Sequence, residues 1–279
     1  MTAISSSRAP KTPATAPPLN VTIPNSQKAI ESICGVFMHG LGNTYCPRML
    51  FDGVTLSHMQ PTRQTMSIEA SEPSTSLATL LASQRKFTLR EKRILAVILA
   101  HSMLRFCESP WMGQEWSKHQ LSFFKSSKQG DFDLERPWLS PDFANPCATE
   151  DFDELSGIHP NPSVLALGIL LLEIELGDVL ESFREAGDLS PEGLENCDTA
   201  FFTAFRVWEN KLDNAYWGYK AAVEACLRCD FFEREDGRPL SLEDEDFHEA
   251  IYEHIVQPLE TELWIACRVR PEEIGLESF

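Results

Sequence analysis

"HPNPSVLALGILLLEIELG", residues 159–177, decides how the chain is read. Asn161 can cap a helix, and Pro162 suits the first helical position, where its missing N–H would have no intrahelical partner. Gly177 can close the last turn in a left-handed conformation. Between these signals only Ser163, Glu173 and Glu175 carry polar side chains. A helix apolar almost all round belongs at the centre of a fold. Its apolar run breaks at Glu173 after roughly ten residues, well short of the ~20 that cross a bilayer. The stretch predicts a buried central helix, not a membrane span.

Other helical patterns lie on both sides of it. Upstream, Thr88 and Glu91 form a capping box, and Ile94, Leu95, Ile98, Leu99, Met103 and Phe106 recur at helical spacing, predicting a helix from Leu89 to Cys107 that Pro110 ends. "SLATLLAS" predicts a short helix capped by Ser74, Thr75 or Ser76, and Asn25 or Ser26 can cap one running to Phe37. Downstream, Phe201, Phe205, Trp208, Leu212, Ala215, Tyr219, Ala222 and Cys226 form a stripe over one long helix or two consecutive ones. Ser241 with Asp244 begins the last helix, whose buried face is Phe247, Ile251, Ile255, Leu259 and Leu263; Pro258 should kink or interrupt it. β signals are few. Asp52-Gly53 sits between two β-favouring runs as a hairpin turn, and a short strand is expected at 121–124.

These elements divide the chain into a Ser/Thr/Ala/Pro-rich disordered tail at 1–23, a helix–hairpin–helix segment at 24–87 and a helical region at 88–279, the folded part being one mainly α domain. The tail lacks a basic-then-apolar signal. The eight cysteines are scattered, and only Cys226 and Cys229 are close, with no second pair to complete a zinc site. Reduced thiols and a cytoplasmic or nuclear location follow as expectations. Charge is uneven: residues 1–130 carry 14 Lys/Arg and 7 Asp/Glu, whereas residues 131–279 carry 10 and 35. An acidic half repels phosphate backbones, so nucleic acid is not an expected partner, and without a spanning apolar run neither is a membrane. It reads as a solvated surface or as a face for a basic protein.

"GDFDLERPWLSPDF", residues 130–143, resembles the metal loop and activation segment of a protein kinase. Three further parts resemble a kinase large lobe in the right order: "SLATLL" the helix after the hinge, "REKRILAVILAHSMLRFCES" the helix before the catalytic loop, and "SVLALGILLLEIELG" the central helix. "VEACLRCD" resembles a later helix. Phosphoryl transfer needs groups that this outline lacks. Between Pro110 and Gly130 there is no Asp and no Asn to serve as a catalytic loop, Glu115 being the only acid. No G-x-G-x-x-G and no strand lysine stand ahead of residue 75. The glycine expected after Phe132 is Asp133, and Ser163 replaces the aspartate that opens the central helix of active kinases. Asp131 therefore reads as a solvated turn residue, and no catalytic, cofactor-binding or metal-binding residue is assigned. The rival reading is a divergent phosphotransferase with Asp131 and Asp133 as metal ligands.

"LAVILAHSMLRFCESPWMGQEWSKHQLSFF", "RPWLS", "HPNPSVLALGILLLEIELG" and "DFHEAIYEHIVQPLETEL" together resemble an uncharacterised, fungus-specific domain family with a degenerate kinase-like helical lobe. The resemblance runs from about Pro24 to Glu262. It implies a non-catalytic interaction or scaffold module in fungal signalling or incompatibility-type responses, with a protein partner and no cofactor. A truncated remnant without a partner is a third reading. Trp111, Trp116 and Trp138 are expected at a core edge, a shared groove being the alternative. "HEAIYEH" is not a zinc helix, because His248 and His254 are six residues, about 240°, apart. No G-x-S-x-G elbow accompanies the scattered Ser, His and Asp, and "LEDEDFHE" lacks the glycine of a calcium loop, leaving its carboxylates to favour a helix start.

Overall fold

The computed structural model describes residues 45–51, 56–63, 74–83, 85–106, 116–125, 131–139, 158–213, 215–233 and 240–276. The chain divides into two units, Met1–Ser67 and Ile68–Phe279. The expected helix at 25–37 and the tail at 1–23 lie outside the described residues.

In the first unit, β1 (Tyr45–Phe51) and β2 (Leu56–Arg63) pair antiparallel, with Phe51 opposite Leu56, as the Asp52-Gly53 signal predicts. The register shifts between Cys46 and Arg48. Pro47 and Pro61 both fall at this irregularity, where residues without an N–H cost the ladder least.

The second unit is mainly helical. β3 (Thr75–Ser76) leads into α1 (Leu77–Ala82), and Ser76 is its cap, accepting from the Thr79 N–H. α2 (Leu89–Phe106) opens with the capping box: Thr88 N–H donates to Glu91 Oε2 at 2.8 Å, and Glu91 N–H to Thr88 Oγ1 at 3.2 Å. β4 (Leu121–Phe123) lies between β3 and β5 (Trp138–Leu139) in a small antiparallel sheet. β3 and β5 were not expected from the sequence, since two residues are too few to show an alternation and each exists only through its pairing with β4.

The central helix is α3 (Pro162–Leu176), with Asn161 Oδ1 accepting from the Val164 N–H at 3.0 Å and Gly177 closing it at φ 73°. Its buried residues run around the whole cylinder, from Val164 and Leu167 to Leu170, Leu171, Leu172 and Ile174. It packs against α2, α4 (Thr199–Lys211) and α5 (Trp217–Arg228). The expected stripe from Thr199 thus becomes two helices. At Gly168 a Cβ would stand 2.8 Å from Cys226 Cβ, so glycine is what lets α3 and α5 approach.

The last helix begins with Asp244 capping α6 (Glu245–Ile251), passes through a π turn at Tyr252–Val256 and continues as α7 (Gln257–Cys267). Phe247, Ile251, Ile255, Leu259 and Leu263 are all buried. Each four-residue step overshoots an α-helical turn by about 40°, so four steps would carry Leu263 to the far side from Phe247. The wide turn resets that phase. It precedes Pro258, which offers no N–H to the preceding turn, so the proline interruption takes the form of a π segment. Among the described residues no helix is long and apolar enough to cross a membrane.

Candidate functional site

Two places could carry function: the Asp131–Asp133 loop, and a groove beside the π turn. At the first, Lys125 forms an antiparallel bridge with Phe132, and Asp133 N–H donates to Phe124 O at 3.0 Å, so the loop folds back along the end of β4. Asp131 is not merely solvated. Its Oδ2 accepts from Arg85 Nη2 at 2.7 Å and its Oδ1 from the Phe132 N–H at 2.7 Å. Partial burial would raise its pKa, but Arg85 and the Phe132 N–H outweigh that and hold the carboxyl below its ordinary range. The same Arg85 nitrogen reaches Glu91 Oε1 at 3.0 Å, tying the loop to the cap of α2. Asp133 Oδ1 accepts from the Glu135 N–H at 3.1 Å. Both carboxylates are used to build a turn. Among the described residues no three His, Cys, Asp or Glu side chains are placed to share a metal ion.

The frame behind this loop is ionic. Lys118 Nζ donates to Glu173 Oε1 at 2.6 Å and to Glu181 at 2.8 and 2.9 Å, and the Leu180 N–H adds a bond to Glu173 Oε1 at 2.8 Å. Glu173 is 1% exposed. Burial works against a charge on Lys118, yet its two carboxylates keep it ammonium. Across α3, buried Arg93 pairs with Glu175 at 2.6 Å and with Glu262, and lies 4.2 Å over the Tyr219 ring. These pairs clamp α2, α3, α5 and α7 together. Apart from Glu181, whose side chain is half exposed, these groups are enclosed.

Of the three tryptophans, Trp116 is buried and its Nε1 donates to Ser163 O at 3.3 Å, so an indole anchors the start of α3. Trp138 is 44% exposed on β5, edge-on to Phe124 at 5.6 Å. Trp111 and Glu115 lie outside the described residues. Cys226 is buried within α5, whereas Cys229 ends that helix at φ 47°, and burial pushes its thiol up to about 12. Neither is a ready nucleophile. His159 stays neutral: burial pushes its pKa down, its Nε2–H donates to Cys226 O at 2.8 Å, and its Nδ1 accepts from the Asn161 N–H at 3.1 Å.

The second place was not read from the sequence. A groove of about 320 Å³ is lined by Ala221, Glu224 and Arg228 of α5, by Asp230 and Phe231 just beyond it, and by His254 of the π turn. The left-handed Cys229 turns the chain so that Asp230 and Phe231 leave the helix axis. The His254 ring stacks on Phe231 at 5.0 Å and 19°, and Phe231 lies near-parallel to buried Phe247 at 6.2 Å. Arg228 is already engaged, by Glu224 at 3.1 Å and by the rings of Phe205 and Trp208 at 5.2 and 5.5 Å. Pro258 was the available signal, because a π turn often marks a functional position. Its partner wall comes from a helix about thirty residues earlier, which no local pattern connects to it.

No curated protein matches the chain. A family model matches residues 18–265, nearly the whole length, and the chain belongs to that family, described as Domain of unknown function (DUF7580).

Proposed function

We propose that the protein is a non-catalytic interaction or scaffold module, a kinase-like helical lobe without kinase chemistry, working in fungal intracellular signalling. One observation carries this reading: Asp131, at the place of a kinase's metal-binding aspartate, spends both oxygens on Arg85 and the Phe132 N–H. A magnesium ion there would have to share this carboxylate with a guanidinium 2.7 Å away, whose positive charge opposes it. Asp133 Oδ1 is held by its own turn, and its Oδ2 faces Arg136 at 3.9 Å. Exposed aromatic surface supports the interaction half of the reading. Trp217 is 83% exposed and Tyr216 51% exposed at the start of α5, and large exposed aromatics favour protein contact.

Magnesium with ATP tests it. Millimolar nucleotide at a site of ten-micromolar affinity would stabilise the fold by about 2.7 kcal/mol, raising Tm by several degrees. The expected result is no shift and no phosphate transfer to a generic acceptor. A shift that Asp131→Asn abolishes would restore the phosphotransferase with Asp131 and Asp133 as metal ligands. A chain that neither binds nucleotide nor retains any protein partner through size-exclusion chromatography would be the remnant instead.

A further inference from the structure

We infer that the groove between α5 and the π turn receives an arginine side chain from an extended segment of a partner protein. The inference rests on the interaction-module reading and names the chemistry of its partner. Three features select a guanidinium. The first is a net negative charge inside the groove. Glu224 and Arg228 neutralise each other at 3.1 Å, while the exposed carboxylate of Asp230 has neither hydrogen bond nor ion pair among the described residues. The second is the flat aromatic wall of His254 stacked on Phe231, backed by Phe247. A planar, weakly hydrated cation stacks on such a face, whereas an ammonium is held more by its water. The third is size. About 320 Å³ lies at the small end of ligand pockets and suits one long side chain over the Ala221 and Ala225 floor rather than a metabolite.

The chain already uses this chemistry on the same helix, where Arg228 lies over Phe205 and Trp208 beside the Glu224 carboxylate. A second arginine in the groove would use the same chemistry, with His254, stacked on Phe231, as the ring and Asp230 as the acid. The surrounding field favours it, since the whole chain carries a net charge of −18. Such a field concentrates basic segments at the surface, and the groove then decides which cation stays.

The test uses the full chain with its alanine methyls labelled, so that Ala221 and Ala225 report on the groove floor. The probe is the blocked peptide Ac-Gly-Leu-Arg-Ala-Gly-amide, compared with the same peptide carrying lysine or glutamine in place of arginine. A single anchored side chain should bind with a Kd on the order of 0.1–1 mM. The arginine peptide should shift both methyls, the lysine peptide bind several-fold more weakly, and the glutamine peptide leave them unmoved. Asp230→Asn should weaken the arginine peptide about tenfold and His254→Ala about threefold; both positions are exposed, so each variant should keep the parent Tm. Equal binding of the glutamine peptide, no methyl shift at several millimolar, or undiminished affinity in the Asp230→Asn variant would each overturn the inference. The first and third would leave an interaction module that binds elsewhere. Failure of the module reading itself would show separately, as nucleotide binding.

Discussion

Lys118→Met strikes a buried ion pair of the α3 frame. The lysine stem is replaced almost isosterically, but Glu173, 1% exposed, loses the ammonium at 2.6 Å and keeps only the Leu180 N–H at 2.8 Å. Glu181, whose side chain is half exposed, simply turns to water. Removing one partner of a buried pair costs about 3–5 kcal/mol, nearly all of it here the stranded Glu173 charge. Replacing both partners, Lys118→Met with Glu173→Leu, should cost only about 1 kcal/mol, the bond lost at Leu180 N–H. Urea unfolding followed by circular dichroism measures both, and the cycle gives the coupling. The single variant should also recover at low pH. Burial already raises the Glu173 pKa, and loss of Lys118 raises it further. A carboxyl raised in the folded state penalises folding above its unfolded value and stops doing so once protonated, so the gap between variant and parent should shrink from pH 7.5 to pH 5. A single variant costing under about 1 kcal/mol, or a double variant as damaged as the single, would refute the reasoning.

Two further substitutions probe the packing and the acid limb. Gly168→Ala places a methyl 2.8 Å from Cys226 Cβ and 3.3 Å from Leu227 Cδ2, so despite the better helix former it should lower stability by about 1–2 kcal/mol, read as a drop in Tm without loss of helicity. Asp188 accepts from Arg206 Nε at 2.9 Å, from the Glu185 N–H at 2.9 Å and from Thr203 Oγ1 at 3.1 Å, and the guanidinium foremost holds its carboxyl at about 2. A depressed carboxyl stabilises the fold above the unfolded value of 3.8 and loses that as pH falls towards about 2. Asp188→Asn should therefore remove roughly 2 kcal/mol at neutral pH and flatten the stability profile between those two values.

The helices were legible because their signals are local. The Thr88–Glu91 box, the Asn161 cap with Pro162 and Gly177, and the Asp244 cap each satisfy backbone groups within a few residues of themselves, so a short window of sequence contains both partners. The apolar α3 also announced its own central place. The Asp131–Asp133 loop was only half legible: a turn at Asp131 could be read, but the Arg85 that holds its carboxylate stands 46 positions away. Trp116, expected at a core edge, proved to be a donor to the backbone of α3, a use that depends on where Ser163 O points after folding.

From the order of residues alone came the mainly helical class, the hairpin, the helix ends and the acidic second half. All of these follow from short-range hydrogen bonding, apolar periodicity or a count of charges. Folding added the β3–β4–β5 sheet, the π form of the break ahead of Pro258, the ion pairs about α3 and the groove under Asp230, Phe231 and His254. The sheet, the ion pairs and the groove join groups far apart along the chain, and the π turn sets the phase of a helix against its neighbours; their energies depend on burial and distance, quantities that exist only once the helices have packed.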